Sequence, residues 1–209
     1  LKNYDIAMEE RIPIWQDNGY AVDFVDIGQE VAVENGSLTN AIEEGVRQAY
    51  EEGFLRKSIV DDPIFERKNT NDNTPPVIHY NIVEGNKIDI MITAKGFGSE
   101  NMSAIKMLSP SDGLEGVEKF VLETVKNAGP NPCPPIIIGI GVGGTMEKAA
   151  IMAKKATMRE IYIYNENINY ENLEKELLVN INELGIGPAG FGGKTTALAV
   201  NVDYFPTHI

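Results

Sequence analysis

Asn131-Pro132-Cys133-Pro134-Pro135-Ile136-Ile137-Ile138-Gly139-Ile140-Gly141-Val142-Gly143-Gly144-Thr145 is the stretch from which the fold is read. It holds the only cysteine of the chain, with prolines on both sides. Proline fixes φ and lacks an N–H, so Cys133 is expected on a stiff, extended segment. The β-branched run that follows predicts a strand buried on both faces. Four glycines then lead to Thr145, where a helical pattern opens over residues 146–156. A rigid thiol, a buried strand and a glycine turn at a helix N-terminus together form a place to hold an electron-rich group. Two plainer readings compete: a lone cysteine is commonly a small buried hydrophobe, and glycines after a strand often serve only a tight turn.

With 209 residues, the chain is long enough for one large domain or two small ones. Its 43% hydrophobic and 23% charged content is that of a globular protein. A net charge of −13 argues against a general nucleic-acid binder, which needs a basic face. An anionic small substrate stays possible, because local Arg, Lys and N–H donors can oppose the overall field. One cysteine excludes an intrachain disulfide and fits a reducing, cytoplasmic compartment. No apolar run reaches the roughly 20 residues of a membrane helix, and no signal peptide is visible. The chain starts at Leu1 and stops at Ile209 just after a strand-like run, so sequence is expected to be missing at both ends.

Taken in order, residues 1–12 read as the tail of a helix. Ile12-Pro13-Ile14-Trp15-Gln16-Asp17-Asn18-Gly19 runs from an extended X-Pro segment into a polar turn that displays Gln16 and Asp17. Residues 21–27 alternate as a strand, with 31–33 a pairing partner after Gly28. Ser37 is expected to cap an amphipathic helix over 38–52, with Leu38, Ile42, Val46 and Ala49 on one face and Gly53 at its end. Arg56 and Lys57 make a positive spot in an acidic chain, or simply a solvated helix end. Residues 67–76 read as a loop. Residues 77–83 and 87–93 are expected to pair as a hairpin around Glu84-Gly85-Asn86, with His79 a packed or surface residue. In Ala94-Lys95-Gly96-Phe97-Gly98, Lys95 and nearby backbone N–H groups suit an anion nest, although such glycine turns are common without a ligand. A helix starts at Ser111 or Asp112, with Val117, Phe120, Val121 and Val125 on its apolar face. Strand and loop are expected over 160–170, a helix marked by Leu173, Leu177, Leu178 and Ile181, and a buried strand over 197–202.

Of two nucleotide motifs, one is a weak match and the other fails. Gly139-x-Gly141-x-x-Gly144 matches the dinucleotide fingerprint, but no acidic residue stands at the end of a second strand about 20 residues on. Gly192-Gly193-Lys194-Thr195 lacks the upstream glycine at P-loop spacing, and a strand follows it where a P-loop opens a helix.

Read together, eight blocks resemble the class I, iron–sulfur fumarate hydratases, and more narrowly the alpha subunit or N-terminal domain shared with L(+)-tartrate dehydratase. They are Ile-Pro-Ile-x-Gln-Asp-x-Gly at 12–19, Leu-Arg-Lys-Ser-Ile-Val at 55–60, Asn-Thr-x-Asp-Asn-Thr-Pro at 69–75, Lys-Gly-x-Gly-Ser-Glu-Asn at 95–101, Gly-Pro-Asn-Pro-Cys-Pro-Pro at 129–135, Gly-x-Gly-Gly-Thr at 141–145, Gly-Gly-Lys-Thr-Thr-Ala at 192–197 and Pro-Thr-His-Ile at 206–209. The resemblance implies a [4Fe–4S] cluster on three cysteine thiolates, with one iron open as a Lewis acid for addition or loss of water. Cys133 matches one metal ligand. Where the family has a second cysteine, before Gln-Asp, this chain has Trp15, which cannot ligate iron. The third family cysteine lies past the end of this chain. The resemblance further implies that Gln16 and Asp17 meet the substrate, Asp17 as proton donor or acceptor. It makes Arg56 a carboxylate clamp, Gly96 and Gly98 part of a loop approaching the substrate, and His208 a neighbour of the substrate hydroxyl.

The sequence is therefore read as an α/β chain, a single domain of mixed α+β type with mixed sheets flanked by helices. It is expected to be the alpha, iron–sulfur subunit of a cytoplasmic hydro-lyase that needs a beta subunit and works as a hetero-oligomer on a small dicarboxylate. The expected reaction is reversible dehydration of (S)-malate to fumarate, a tricarboxylic acid cycle step. Dehydration of L(+)-tartrate to oxaloacetate is the alternative. An inactive homologue without a cluster, for which Trp15 speaks, and a dinucleotide-binding oxidoreductase stand behind these.

Overall fold

The computed structural model of the chain describes residues 2–11 and 17–208, with side chains from residue 5 on. The chain mixes helices and sheets, as expected, in two compact units, residues 1–97 and 98–209. No helix among the described residues is long and apolar enough to cross a membrane.

The first unit begins with helix α1 (Lys2–Glu10) and is built on strand β1 (Tyr20–Gly28). Five consecutive residues of β1, Ala21, Val22, Asp23, Phe24 and Val25, are buried. A strand buried on both faces sits at the centre of its sheet, and here the order is β2-β1-β3. Strand β2 (Val77–Val83) runs parallel to β1, with Val22 opposite Val77, and β3 (Ile88–Lys95) runs antiparallel, with Phe24 opposite Met91. The expected hairpin is therefore corrected: β2 and β3 do not pair, because β1 lies between them. The Glu84-Gly85-Asn86 link passes the end of β1, where the Gly28 N–H donates to Lys87 O at 2.8 Å. A Cβ on Gly28 would lie 2.4 Å from Gly85 O, so only glycine lets the link cross there. Residues 31–33 form no strand, since Gln29 and Glu30 already give their N–H groups to Val83 and Gly85 in a turn. His79 stacks on Phe24, ring centroids 4.9 Å apart, a packed residue as read.

Helix α2 (Leu38–Glu52) has the expected bounds, but the expected Ala49 is exposed and Tyr50 takes its place on the buried face. Ser37 Oγ accepts from the Asn40 N–H at 3.3 Å, and Gly53 closes the last turn. Ile42, Val46 and Tyr50 recur every four residues and are buried, the last two against Ala21 of β1.

The second unit continues from the short helix α3 (Phe97–Glu100) through a 3₁₀ turn (Pro110–Asp112) into α4 (Gly113–Ala128). The Asp112 carboxylate takes both the N–H and the O–H of Ser109, fixing this start. Strand β4 (Ile136–Gly143) then pairs in parallel with β5 (Ala197–Phe205). Between them run α5 (Met146–Ala156) and α6 (Ile168–Glu183).

The two faces of β4 are written in alternate residues. Ile136, Ile138, Ile140 and Val142 pack on a core of Val121 and Val125 from α4, Leu173, Leu177 and Ile181 from α6, and Val200 and Val202 from β5. The odd positions lie under α5. A Cβ on Gly139 would sit 1.9 Å from Ala153 O, and one on Gly141 2.1 Å from Ala149 O. Two glycines of the apparent dinucleotide fingerprint are thus interior strand residues that admit a helix at close range, which removes that reading. Both faces of β4 are covered, yet its residues are only half-buried, because among the described residues the sheet has two strands and β4 an open edge.

Residues 157–167 contain no strand, against expectation. Asparagine chemistry and a buried carboxylate organise this loop. Asn167 caps α6, its Oδ1 accepting from Asn169 N–H at 3.0 Å. Glu174, buried on α6, accepts from Asn165 N–H at 2.9 Å, from Val202 N–H at 2.7 Å and from Arg159 at 2.6 Å. Arg159 also donates to Val202 O and to Asp203.

Candidate active-site residues

In the first unit, the polar turn read from the sequence is real. Asp17 Oδ1 accepts from the Gly19 N–H at 3.1 Å, the local bond that makes aspartate a turn residue. Its Oδ2 accepts from the Phe97 N–H at 3.3 Å. Near Gly96 one backbone donor, the Phe97 N–H, thus faces a carboxylate, that of Asp17, while Lys95 Nζ donates to Gly96 O. Gly96 faces the same oxygen, and a Cβ there would be in ordinary contact at 3.8 Å. Gly19 is the glycine the geometry demands: its φ is +79°, and a Cβ would lie 2.5 Å from the Lys95 carbonyl carbon.

Arg56 is held through its main chain. Its N–H donates to Asn18 Oδ1 at 2.7 Å, while the side chain is exposed, free to meet a carboxylate in solution. Thus Asp17 and the backbone of Arg56 belong to neighbouring segments of one unit. Gln16, like Trp15, lies outside the described residues.

Two residues not singled out from the sequence hold this region. Tyr50 OH donates to Gly19 O at 2.7 Å, and Asn73 Nδ2 donates to the same oxygen at 3.2 Å. Burial pushes the Tyr50 hydroxyl up; its bond with Asn73 acts the other way, and the negative charges of Asp17 and Asp23 add to the rise. Asp72 anchors the loop behind Asn73. It accepts from the Thr74 N–H at 3.0 Å and hydroxyl at 2.8 Å and pairs with Arg47 of α2 at 3.0 Å. The Thr74 N–H in particular holds the Asp72 carboxyl down at about 2.

In the second unit, Cys133 is exposed, but its backbone is not extended. It lies in a turn with φ +57°, its N–H donating to Pro130 O at 2.9 Å. The prolines fix the angles around it, and the turn bond takes the cysteine itself into the left-handed region. Close approaches frame this turn. A Cβ on Gly98 would lie 2.7 Å from Asn131 O, and one on Gly190 2.3 Å from Pro130 Cβ. The Ala189 N–H donates to Pro134 O at 2.6 Å. The structure thus brings Gly98 and the Cys133 turn together. His208 is exposed in the segment after β5, where Thr207 donates to Gly144 O at 3.3 Å.

A [4Fe–4S] group of the kind the resemblance implies sets a demand on the donor set. Its three thiolate ligands must come from cysteines, and residues 1–209 contain one, Cys133. Trp15 offers an indole N–H donor and no metal-binding lone pair. These residues alone do not complete such a site.

The family model of fumarate hydratase, Fumerase, matches residues 1–209. A protein of Methanocaldococcus jannaschii provisionally named L(+)-tartrate dehydratase subunit alpha is 45% identical over 212 aligned positions, covering 100% of this chain and 74% of its own length. The L(+)-tartrate dehydratase subunit alpha of Escherichia coli (strain K12) is 32% identical over 210 positions, covering 99% of this chain and 68% of its own. The counterpart in Shigella sonnei shows the same identity and coverage. The relatives are named as dehydratase subunits, and a dehydratase is a hydro-lyase. The chain belongs to the fumarate hydratase family.

Proposed function

We propose that this chain is the alpha subunit of a dehydratase that removes water from a 2-hydroxy dicarboxylate, with L(+)-tartrate ranked before (S)-malate. The observation that carries this reading is the match along the whole chain to relatives named tartrate dehydratase alpha subunits. The Arg56 backbone held beside the Asp17 turn, with its side chain exposed, supports it. In the reaction a C–H bond breaks and its proton goes to a base. The C–O bond on the adjacent carbon breaks and the hydroxyl departs, with a proton, as water. From malate this leaves fumarate; from tartrate it leaves the enol of oxaloacetate. Arg56 clamps a substrate carboxylate, the bidentate task for which guanidinium is shaped. Asp17, oriented by two backbone N–H groups, keeps lone pairs with which to hold or pass a proton at the substrate hydroxyl. Gln16, Gly96, Gly98 and His208 complete this side of the site by resemblance.

A beta subunit supplies the remaining binding groups and the base, so the working form is a hetero-oligomer, placed in the cytoplasm. A [4Fe–4S] cluster at Cys133 belongs to the proposal only if two further ligands come from other than the thiols of residues 1–209. A second reading, a subunit that has lost its cluster, is favoured by one observation, tryptophan at position 15.

The test uses the full-length subunit purified without oxygen together with its partner. Consumption of L(+)-tartrate and (S)-malate and hydration of fumarate are measured, with iron and acid-labile sulfide per chain. Turnover supports the proposal, and the kcat/KM ratio ranks the diacids. Folded protein with neither iron nor turnover, and Trp15 confirmed by peptide mass, overturns it in favour of the second reading.

A further inference from the structure

We infer that Asn73 is a positioning residue, a strut that fixes the Asp17 turn and the Arg56 segment in one mutual arrangement. The inference rests on the proposed roles of Asp17 and Arg56. Asn73 is fully buried, with φ +62°, in a backbone region that asparagine enters more readily than most residues. Its Nδ2 donates to Gly19 O at 3.2 Å. Its Oδ1 accepts from the Ser58 N–H at 2.8 Å and the Ile59 N–H at 3.1 Å. The amide can point only one way, since a flip would set its NH₂ against two N–H donors and its oxygen against a carbonyl.

One short side chain thus ties residue 19 to residues 58 and 59. Each end lies two or three residues from a proposed substrate group. Gly19 donates to Asp17 Oδ1, and Asn18 accepts from Arg56 N–H, so the two segments are joined at parallel points. Tyr50 OH holds Gly19 O from the α2 side. Asp72, bound to Thr74 and Arg47, keeps the Asn73 loop from shifting. An arginine that binds a carboxylate and an aspartate that handles a proton must keep their spacing to work on one small molecule, and displacements of about 1 Å can lower rates on the order of 100-fold.

The test compares three variants in the full-length subunit with its partner. Asn73→Asp keeps the acceptor for Ser58 and Ile59 and sets an oxygen against Gly19 O. Tyr50→Phe removes the other donor to that carbonyl with little change in packing. Asn69→Ala frees the same segment at another point, Lys57 O, without touching Gly19. For Asn73→Asp, KM for the diacid is expected to rise about tenfold or more, with amide exchange at Gly19 and Arg56 about tenfold faster. Tyr50→Phe moves both less, and Asn69→Ala leaves KM unchanged. An unchanged KM in Asn73→Asp, or an equal rise in Asn69→Ala, overturns the inference, since loss of folded protein alone lowers kcat and not KM. If the unaltered enzyme turns over neither diacid, the proposed function fails. Amide exchange then decides the strut by itself: faster exchange at Gly19 and Arg56 in Asn73→Asp but not in Asn69→Ala upholds it, and any other pattern overturns it.

Discussion

The turn that carries Asp17 and the turn that carries Cys133 are held in place by different means. Around Asp17 the work is done by polar side chains, with Tyr50 and Asn73 converging on one carbonyl. Around Cys133 it is done by the absence of side chains, with Gly98 and Gly190 letting backbone press on Asn131 and Pro130. Hydrogen bonds set direction and can loosen one at a time, whereas a close-packed glycine contact is either admitted or blocked. The first kind of turn suits a group that must aim; the second suits one that must stay where it is.

The contrast belongs to the turns and not to the units, and Glu174 shows it. This buried carboxylate is the polar knot of residues 98–209, remote in sequence from Cys133. Glu174→Ala would leave Arg159 and the Val202 N–H without their partner and is expected to cost about 3–5 kcal/mol by urea denaturation. A cost under ~1 kcal/mol would show that the knot is slack. Gly190→Ala tests the steric turn directly. With φ +78° and a Cβ 2.3 Å from Pro130 Cβ, it is expected to cost about 2–4 kcal/mol in the same measurement.

Asp23 sharpens the comparison from the polar side. It is fully buried in β1 and neither carboxylate oxygen has a hydrogen-bond partner among the described residues. Burial pushes its carboxyl up. The folded state then binds the proton more tightly than the unfolded state. Below the unfolded value of about 3.9 Asp23 costs nothing through ionisation, and stability falls as pH rises from there through the raised folded value. Asp23→Asn should therefore stabilise the protein by about 1–2 kcal/mol at pH 7 and flatten that limb of the stability–pH curve; an unaltered limb would mean the charge is compensated. The smallest effect expected is at Gly45, in α2, where a Cβ meets nothing within 4 Å. Gly45→Ala should raise stability by about 0.5–1 kcal/mol, opposite in sign to the same exchange at Gly190, and thermal melting of the pair makes the point in one experiment.

Elements whose signals are local were legible in the sequence. The Ser37 cap, the four-residue spacing of Ile42 and Val46, and the run of 136–143 all lie within one element, whereas Tyr50, buried where Ala49 was expected, was not read. The strand order was not legible, because what separates β2 from β3 is β1, some fifty residues earlier. Likewise the two prolines around Cys133 speak for an extended chain, while the bond from its N–H to Pro130 O decides otherwise. Of the candidate site, Asp17, Arg56 and the Gly96 loop announced themselves by turn chemistry and local charge. Asn73 did not: in Asp-Asn-Thr-Pro it reads as a surface turn, and its work is a bond to a residue 54 positions away.

The alternate faces of β4 carry a consequence for the length of the chain. Isoleucine faces one layer and glycine the other, so removing or adding one residue after Gly139 exchanges the two sets along the rest of the strand. Branched side chains would then meet the carbonyls of α5. The pairing has one place where such a slip can be absorbed, its first pair, where Ile136 stands opposite Ala197 and Ile137 opposite Ala199, so that the extra residue is Leu198 of β5. Single-residue insertions and deletions in this region should be tolerated at that bulge and nowhere beyond it, so that β4 behaves like a text with a fixed reading frame while its partner β5 carries the one spare letter.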